Sequence, residues 1–446
     1  MDLVSTSRPP RVAIHTLGCK VNQYESHWMA QQLEQAGYCI TDGEAAPDIV
    51  LVNSCTVTAE ADRKTRQLLR KCRRLHPKAF LVVTGCSAQV FPEQLEPLCD
   101  LVVGNGGKSS IVTLCQERPQ RAPEGSFGAY WLQQELSSVL REVPGRTRAE
   151  VLVQEGCNVG CSYCKIIQAR GTTLRSKPLS LVCQEVAGLV QNGYREIVLT
   201  GINLGLYRQN GVNLPGLLRS LLQLPGDFRL RLGSLNPNDA DQELLAMFQH
   251  PRMCPHLHVS LQHVSNQVLE RMHRPYTAEQ VEALLCALRT ANPLFSFTGD
   301  LIAGFPGESA SDWDKVLHFF REFDFLKVHV FPFSPREGTR AFSLFPRVPK
   351  AVLRERIRSL QAVLGQSSQS FRAKHLGEPR EVLVEGSFSA HRRGWFHGHD
   401  AFYVHHVFPA LPGSEPLRSG AKIRVVPCSV EPSTLDRMVS KPCGST

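Results

Sequence analysis

Three cysteines at positions 157, 161 and 164 constrain this chain more than any other feature. They stand in Gly156-Cys157-Asn158-Val159-Gly160-Cys161-Ser162-Tyr163-Cys164, directly after an apolar run, Val151–Gln154, that reads as a strand. Three thiolates on one tight loop suit a cubic iron–sulfur cluster. The alternative, half of a zinc site, needs a fourth ligand, and none stands at the usual spacing nearby. Three thiols leave one iron of a 4Fe–4S cluster without a protein ligand, a vacancy where a chelating molecule can bind.

A second set is scattered along the first quarter: Cys19 in Leu-Gly-Cys, Cys55 in Asn-Ser-Cys and Cys86 in Thr-Gly-Cys. Each follows a predicted strand (Val12–Thr16, Ile49–Val52 and Phe80–Thr84), with a fourth at Leu101–Val103. Helical segments between them imply a parallel α/β sheet. Loops at the strand C-termini converge on one edge of such a sheet, so distant cysteines can meet. The small residue before each allows close backbone approach. Buried thiols packing as small hydrophobes are the alternative, and that bland reading suffices for the nine remaining cysteines.

The chain has 446 residues, too many for one core, and 42% of them are hydrophobic, so several domains are expected. Fifteen cysteines, an odd number, without a signal-peptide pattern point to reduced thiols rather than a disulfide framework. No apolar stretch reaches the ~20 residues that span a bilayer, so a soluble, cytoplasmic protein without a membrane partner is expected.

The expected organisation is a flavodoxin-like parallel α/β domain over residues 10–120, a linker over 121–142, a partial (β/α)6 barrel over 143–373 and a small β-barrel over 374–442. Candidate barrel strands are Val151–Gln154, Ile197–Thr200, Arg229–Leu232, Leu257–Ser260, Phe297–Ile302 and Val328–Phe331. Active sites of such barrels lie at the strand C-termini. After a basic helix from Lys350 to His375, short strands are expected near Glu381–Glu385, Trp395–His397, Ala401–Val404 and Lys422–Val426.

The cysteine loop resembles that of radical S-adenosylmethionine (SAM) enzymes. Together with Thr16-Leu17-Gly18-Cys19-Lys20-Val21-Asn22-Gln23-Tyr24-Glu25-Ser26, the scattered cysteines and a TRAM-like tail, it identifies the chain as similar to the radical SAM methylthiotransferases over nearly its whole length. Cys19-Lys20-Val21-Asn22 favours the MtaB-type subgroup, which converts N6-threonylcarbamoyladenosine at position 37 of tRNA into its 2-methylthio derivative. The resemblance implies that Cys157, Cys161 and Cys164 bind the radical-generating 4Fe–4S cluster, at which SAM is cleaved to a 5′-deoxyadenosyl radical. It implies that Cys19, Cys55 and Cys86 bind an auxiliary 4Fe–4S cluster that handles sulfur. It further implies that Tyr163, Thr200, Gly201, Asn203, Ser234, Gln262 and Gly304 help hold SAM, that Phe331–Thr339 borders the substrate pocket, and that an electron donor such as flavodoxin or ferredoxin and a sulfur source are needed. Two departures stand out: Gln262-His263-Val264-Ser265 replaces the usual Gln-Ser-Gly-Ser, and Asn236 stands where Glu is common.

RNA binding has separate support. The formal charge is +9, and residues 336 to 446 carry 17 Lys and Arg against 9 Asp and Glu. The tail also holds Trp395, Phe396, Phe402 and Tyr403; such rings can stack on bases while cations neutralise phosphates, unless they form the barrel's own core. Seven cations crowd Arg63–Arg74. Candidate RNA contacts are Arg63, Lys64, Arg70, Arg392 and Arg393. Competing activities are methylthiolation of a ribosomal-protein aspartate, where Pro rather than Lys20 usually follows the first cysteine, and of N6-isopentenyladenosine in tRNA. An RNA-binding protein with purely structural clusters, needing no SAM, is a rival of another class.

Overall fold

The computed structural model describes residues 8–42, 46–122, 125–127, 136, 138–388, 394–410, 417–430 and 437–443. Its first sheet is parallel, with β1 (Arg11–Thr16), β2 (Cys39–Thr41), β3 (Ile49–Ser54), β4 (Phe80–Gly85) and β5 (Leu101–Val102) in the order β2-β1-β3-β4-β5. This is the flavodoxin-like order, whose switch point lies between β1 and β3. Helix α1 (Lys20–Gln35) covers one face because Val21, Tyr24, Trp28, Met29 and Leu33 recur at helical spacing and are all buried. Helix α2 (Ala59–Leu75) covers the other with Thr65, Leu69 and Cys72, its Thr58 cap accepting from the Ala61 amide at 3.1 Å. Its cationic positions face outward or sit half-buried, with Arg63 paired to Glu60 at 2.5 Å and Arg73 to Asp100 at 2.7 Å.

The central unit contains β6 (Ala149–Glu155), β7 (Arg175–Ser176), β8 (Glu196–Gly201), a small hairpin of β9 (Arg208–Gln209) and β10 (Val212–Asn213), then β11 (Arg229–Leu232), β12 (Ser234–Leu235), β13 (His256–Gln262), β14 (Ser296–Ala303) and β15 (Lys327–Pro332). The sheet pieces run β11-β8-β6-β7 and β12-β13-β14-β15. They join at Gly233, where one strand leaves β8 and pairs with β13 in parallel. The result is the open six-fold arrangement read from the sequence. Part of the expected linker is packed: Leu136 and Leu140 are buried, and the Leu140 amide donates to Glu185 at 3.1 Å.

The tail is a closed barrel in the order β16-β17-β18-β20-β19, formed by β16 (Arg380–Ser387), β17 (Trp395–Asp400), β18 (His405–Pro409), β19 (Lys422–Val430) and β20 (Met438–Pro442). Gly398 permits the closure, since a Cβ there would lie 1.9 Å from the Leu383 carbonyl oxygen. The strand expected at Ala401–Val404 is instead a turn. The Tyr403 amide donates to the Asp400 carbonyl at 3.1 Å, the Val404 amide reaches Asp400 Oδ1 at 2.9 Å, and Tyr403 adopts φ 67°. Phe396 belongs to the barrel core, and Tyr403 sits between the guanidiniums of Arg148 and Arg231, 5.1 and 4.9 Å from its ring. Two of the tail aromatics thus hold the fold together. No described helix is long and apolar enough to cross a membrane.

Candidate active site

All six cysteines expected as cluster ligands line one cavity of about 460 Å³ between the first sheet and the central barrel. Cys19 caps α1, Cys55 follows β3, and Cys86 opens the short helix α3 (Cys86–Val90). Sequence order alone leaves these three far apart; the switch point brings them together. The closeness of the strand ends depends on two glycines. A Cβ on Gly18 (φ 106°) would fall 2.8 Å from Cys55 Cβ, and one on Gly85 (φ 95°) would fall 2.5 Å from Asn53 Oδ1. Asn22 then staples the ends, its Nδ2 donating to the carbonyls of Leu17 at 2.7 Å and Ser54 at 2.9 Å.

The other three thiols sit on the loop after β6. Gly156 (φ 77°) starts it, where a Cβ would strike the Thr173 carbonyl oxygen at 2.0 Å. Ser162 anchors its far side, the amide donating to the Met272 carbonyl at 3.0 Å and the hydroxyl to that of Arg271 at 2.8 Å. Arg274 Nη1 approaches Cys161 Sγ at 3.1 Å, and Asn203 Nδ2 stands 3.9 Å from Cys157 Sγ.

The chemistry of this donor set fits iron–sulfur clusters. Burial, reinforced by the neighbouring thiols, pushes Cys55 up to about 12 and Cys164 up to about 11, and burial raises Cys19 and Cys157 as well. Crowded thiols of this kind become thiolates only when a cationic centre compensates the charge. Among the described residues no three His, Cys, Asp or Glu side chains stand close enough for a single metal ion. A four-iron cluster makes a different demand, since each corner takes its own thiolate.

Of the residues expected to hold SAM, Tyr163, Thr200, Gly201, Asn203, Ser234 and Gln262 line this cavity, and Gly304 does not. The Gly304 amide instead donates to Glu308 Oε2 at 2.8 Å. Glu308, paired with Arg356, stands 3.4 Å from His263 Nε2, so the Gly-Phe-Pro-Gly-Glu turn and the unusual His263 form one buried structural unit. Gln262 reaches the cavity through a bulge, with φ 56°. Asn236 also lines the cavity, its Nδ2 bonded to Asn203 Oδ1 and Asp239 Oδ2, each at 3.1 Å, and its Oδ1 to Arg274. Asp239 thus supplies a carboxylate one step from the position where the sequence lacks Glu.

A second cavity of about 670 Å³ shares Gly18 and Cys55 with the first and is walled by Phe331–Pro335, Thr58, Glu60 and Lys64. Lys64 therefore faces this cavity, Arg63 is engaged by Glu60 at 2.5 Å, and Arg70 is exposed farther along α2. Arg392 and Arg393 lie outside the described residues. Sequence reasoning missed Arg170 and Arg274, because an arginine carries no local pattern announcing contact with a distant thiol.

Residues 11–104 match a family model described as Uncharacterized protein family UPF0004, and residues 151–320 match the Radical SAM superfamily. The chain is 40% identical over 405 residues to the threonylcarbamoyladenosine tRNA methylthiotransferase MtaB of Thermotoga maritima, covering 89% of this chain and 91% of that one. The chain belongs to the radical SAM tRNA methylthiotransferase family. The MtaB protein of Bacillus subtilis is 35% identical, with 93% of this chain and 97% of that one covered. Family members with another printed name also match: the tRNA-2-methylthio-N(6)-dimethylallyladenosine synthase of Cereibacter sphaeroides is 32% identical, with 96% and 98% covered. Among solved structures, the radical SAM methyltransferase TsrM from Kitasatospora setae aligns with a TM-score of 0.58 at 19% identity, covering 75% of this chain and 77% of that one; what it shares is the fold. As a radical SAM methylthiotransferase, the chain is an enzyme that uses SAM and a 4Fe–4S cluster.

Proposed function

We propose that this enzyme methylthiolates C2 of N6-threonylcarbamoyladenosine at position 37 of tRNA, with one 4Fe–4S cluster on Cys157, Cys161 and Cys164 and a second on Cys19, Cys55 and Cys86. The observation that carries the reading is the single cavity lined by both cysteine sets, because sulfur insertion needs the radical source and the sulfur donor to act on one carbon. When bound, the clusters and SAM supply a carbon-centred radical, a methyl group and the sulfur.

The chain's own residues position and insulate. Tyr163, wedged edge-on against Phe305 at 6.3 Å between centroids, walls the side of the radical loop. Thr200, Asn203, Ser234 and Gln262 offer polar groups from three strand ends, those of β8, β11 and β13, which suits a zwitterionic cofactor. The second cavity, opening beside Cys55, has room for a modified base, with Phe331 and Phe333 as its apolar wall. An electron donor and a sulfur source complete the cycle.

Names among the relatives divide between threonylcarbamoyl and dimethylallyl substrates. The Cys19-Lys20-Val21-Asn22 motif and the 40% and 35% identity to the MtaB proteins of Thermotoga maritima and Bacillus subtilis, against 32% to the dimethylallyladenosine synthase of Cereibacter sphaeroides, favour the former. Mass spectrometry of tRNA nucleosides from cells with and without the gene tests this. Loss of 2-methylthio-N6-threonylcarbamoyladenosine is expected. Loss of the isopentenyl derivative alone, or an unchanged nucleoside profile with an altered ribosomal-protein aspartate, overturns it.

A further inference from the structure

The tail aromatics Phe396 and Tyr403 are used up in holding the fold, yet two large rings elsewhere face solvent. Phe345 is 74% exposed and Phe342 44% exposed. Both belong to the segment after β15, whose inner side packs as a small core: Ala341 is fully buried among Val268, Met272 and Phe305, with Tyr163, Phe333 and Leu344 against them. One side of the segment is therefore anchored and the other presents rings.

The anchor is the radical-SAM loop itself. The Ala341 amide donates to the Ser162 carbonyl at 2.8 Å, and Arg340 donates to the Gly160 carbonyl. The segment is thus fixed to the backbone that carries Cys161 and Cys164. Arg347 lies over both rings, its guanidinium carbon 5.9 Å from the Phe342 centroid and 5.4 Å from that of Phe345. Its Nη2 donates to the Phe342 carbonyl at 2.5 Å, and among the described residues its other N–H groups have no hydrogen-bond partner. From Gly338 to Arg354 the chain has four cations, Arg340, Arg347, Lys350 and Arg354, and no Asp or Glu. Exposed rings interleaved with uncompensated cations match the requirements of a single-stranded nucleic acid, whose bases stack on aromatics while its phosphates meet arginine. A neutral apolar partner would leave those cations unmatched.

We infer that the Arg340–Arg347 segment is a docking surface for single-stranded RNA, on which bases flanking the modified nucleotide stack on Phe342 and Phe345 while Arg347 holds a phosphate. The inference rests on the reading of tRNA as substrate and places the anticodon loop beside the radical loop, independently of the basic tail and of α2.

The test uses the anaerobically reconstituted full chain and a fluorescently labelled anticodon stem-loop RNA, with anisotropy measured over a series of salt concentrations. The double variant Phe342→Ala/Phe345→Ala should bind roughly tenfold more weakly with the same salt dependence, because stacking releases no counterions. Phe345→Trp should bind as well as the wild type. Arg347→Ala should reduce the slope of log K against log salt by about 0.7, the increment for one single-strand phosphate. Formation of 5′-deoxyadenosine without RNA should be unchanged in all three, which separates docking from a damaged cluster site. Wild-type affinity in the double alanine variant overturns the inference while leaving the tRNA reading intact. Absence of RNA binding by the wild type sinks both.

Discussion

Arg170 Nε stands 3.3 Å from Cys86 Sγ, so a residue six positions beyond the radical-SAM cysteines touches a thiol of the other cysteine set. The guanidinium is fully buried and held on every side, paired with Glu25, 3.0 Å from Glu155 and 2.8 Å from Asn22 Oδ1. Glu25 is shared with Lys108 at 2.5 Å. Two halves of the molecule are thereby fastened through a four-member charged network that runs behind both sets of thiols. Flanking carboxylates and the Cys86 sulfur hold Arg170 firmly in its charged form.

Removing one member of such a network leaves uncompensated charge in the interior. Arg170→Met should therefore destabilise the chain by about 3 to 5 kcal/mol, measured by denaturant unfolding. The exposed pair Arg63–Glu60 is the control: Arg63→Ala should leave the midpoint where it is. A midpoint for Arg170→Met within error of the wild type would show that the network contributes no stability.

Two three-cysteine sets, each suited to a four-iron cluster, set the expected iron content at about eight atoms per chain after anaerobic reconstitution. Replacing Cys157, Cys161 and Cys164 together with Ala should remove about half of it. The complementary triple variant at Cys19, Cys55 and Cys86 should do the same. Full iron in either variant, or a wild type that never exceeds one cluster, contradicts the two-site reading.

Cys55 lines both cavities and follows β3 of the first sheet, on a different element from the loop that carries the radical-SAM cysteines. Cys55→Ala should consequently leave reductive cleavage of SAM largely intact while abolishing methylthiolation of tRNA. Chromatographic assay of 5′-deoxyadenosine alongside nucleoside mass spectrometry separates the two. Loss of both activities in parallel would count against a division of labour between the clusters.

Much of this was legible because its signals are local. Runs such as Ile197–Thr200 become strands wherever a parallel sheet is buried on both faces, and the six barrel strands appear within one or two residues of their expected positions. The turn at Asp400–Tyr403 was not legible: β-rich residues suggested a strand, and the local bonds of Asp400 together with the docking of Tyr403 between Arg148 and Arg231 overrode that propensity. In the site, the cysteines announce themselves by spacing and by position after strands. Arg170, Arg274 and Asn22 act through tertiary contacts with thiols and strand ends, which no local pattern encodes. Gly304 shows the converse, a motif glycine whose amide serves a buried carboxylate beside the site rather than the cavity itself.

Where the tail meets the long helix Lys350–Ala373, His375 is fully buried against Phe371 and Phe402, 4.9 and 5.0 Å between ring centroids, and among the described residues neither ring nitrogen has a hydrogen-bond partner. Burial holds its pKa down to about 4 against an ordinary 6.5; Arg380, His406 and Arg372 push the same way and Asp400 opposes. The unfolded chain therefore binds a proton below pH 6.5 that the folded chain refuses until about pH 4, so stability must fall as pH falls through that window. Between pH 7 and pH 5 the loss from this one group amounts to about 2 kcal/mol. His405, held down to about 2, acts in the same direction. Glu385, held down to about 2, matters only below the usual carboxylate range, whereas Glu155, held up to about 7 by burial, has the opposite sign within the window. Comparing wild type with His375→Leu isolates the histidine from these others. Unfolding at pH 7 and pH 5 should show a drop about 2 kcal/mol smaller in the variant than in the wild type. An equal drop in both proteins would mean that His375 accepts its proton in the folded state without penalty.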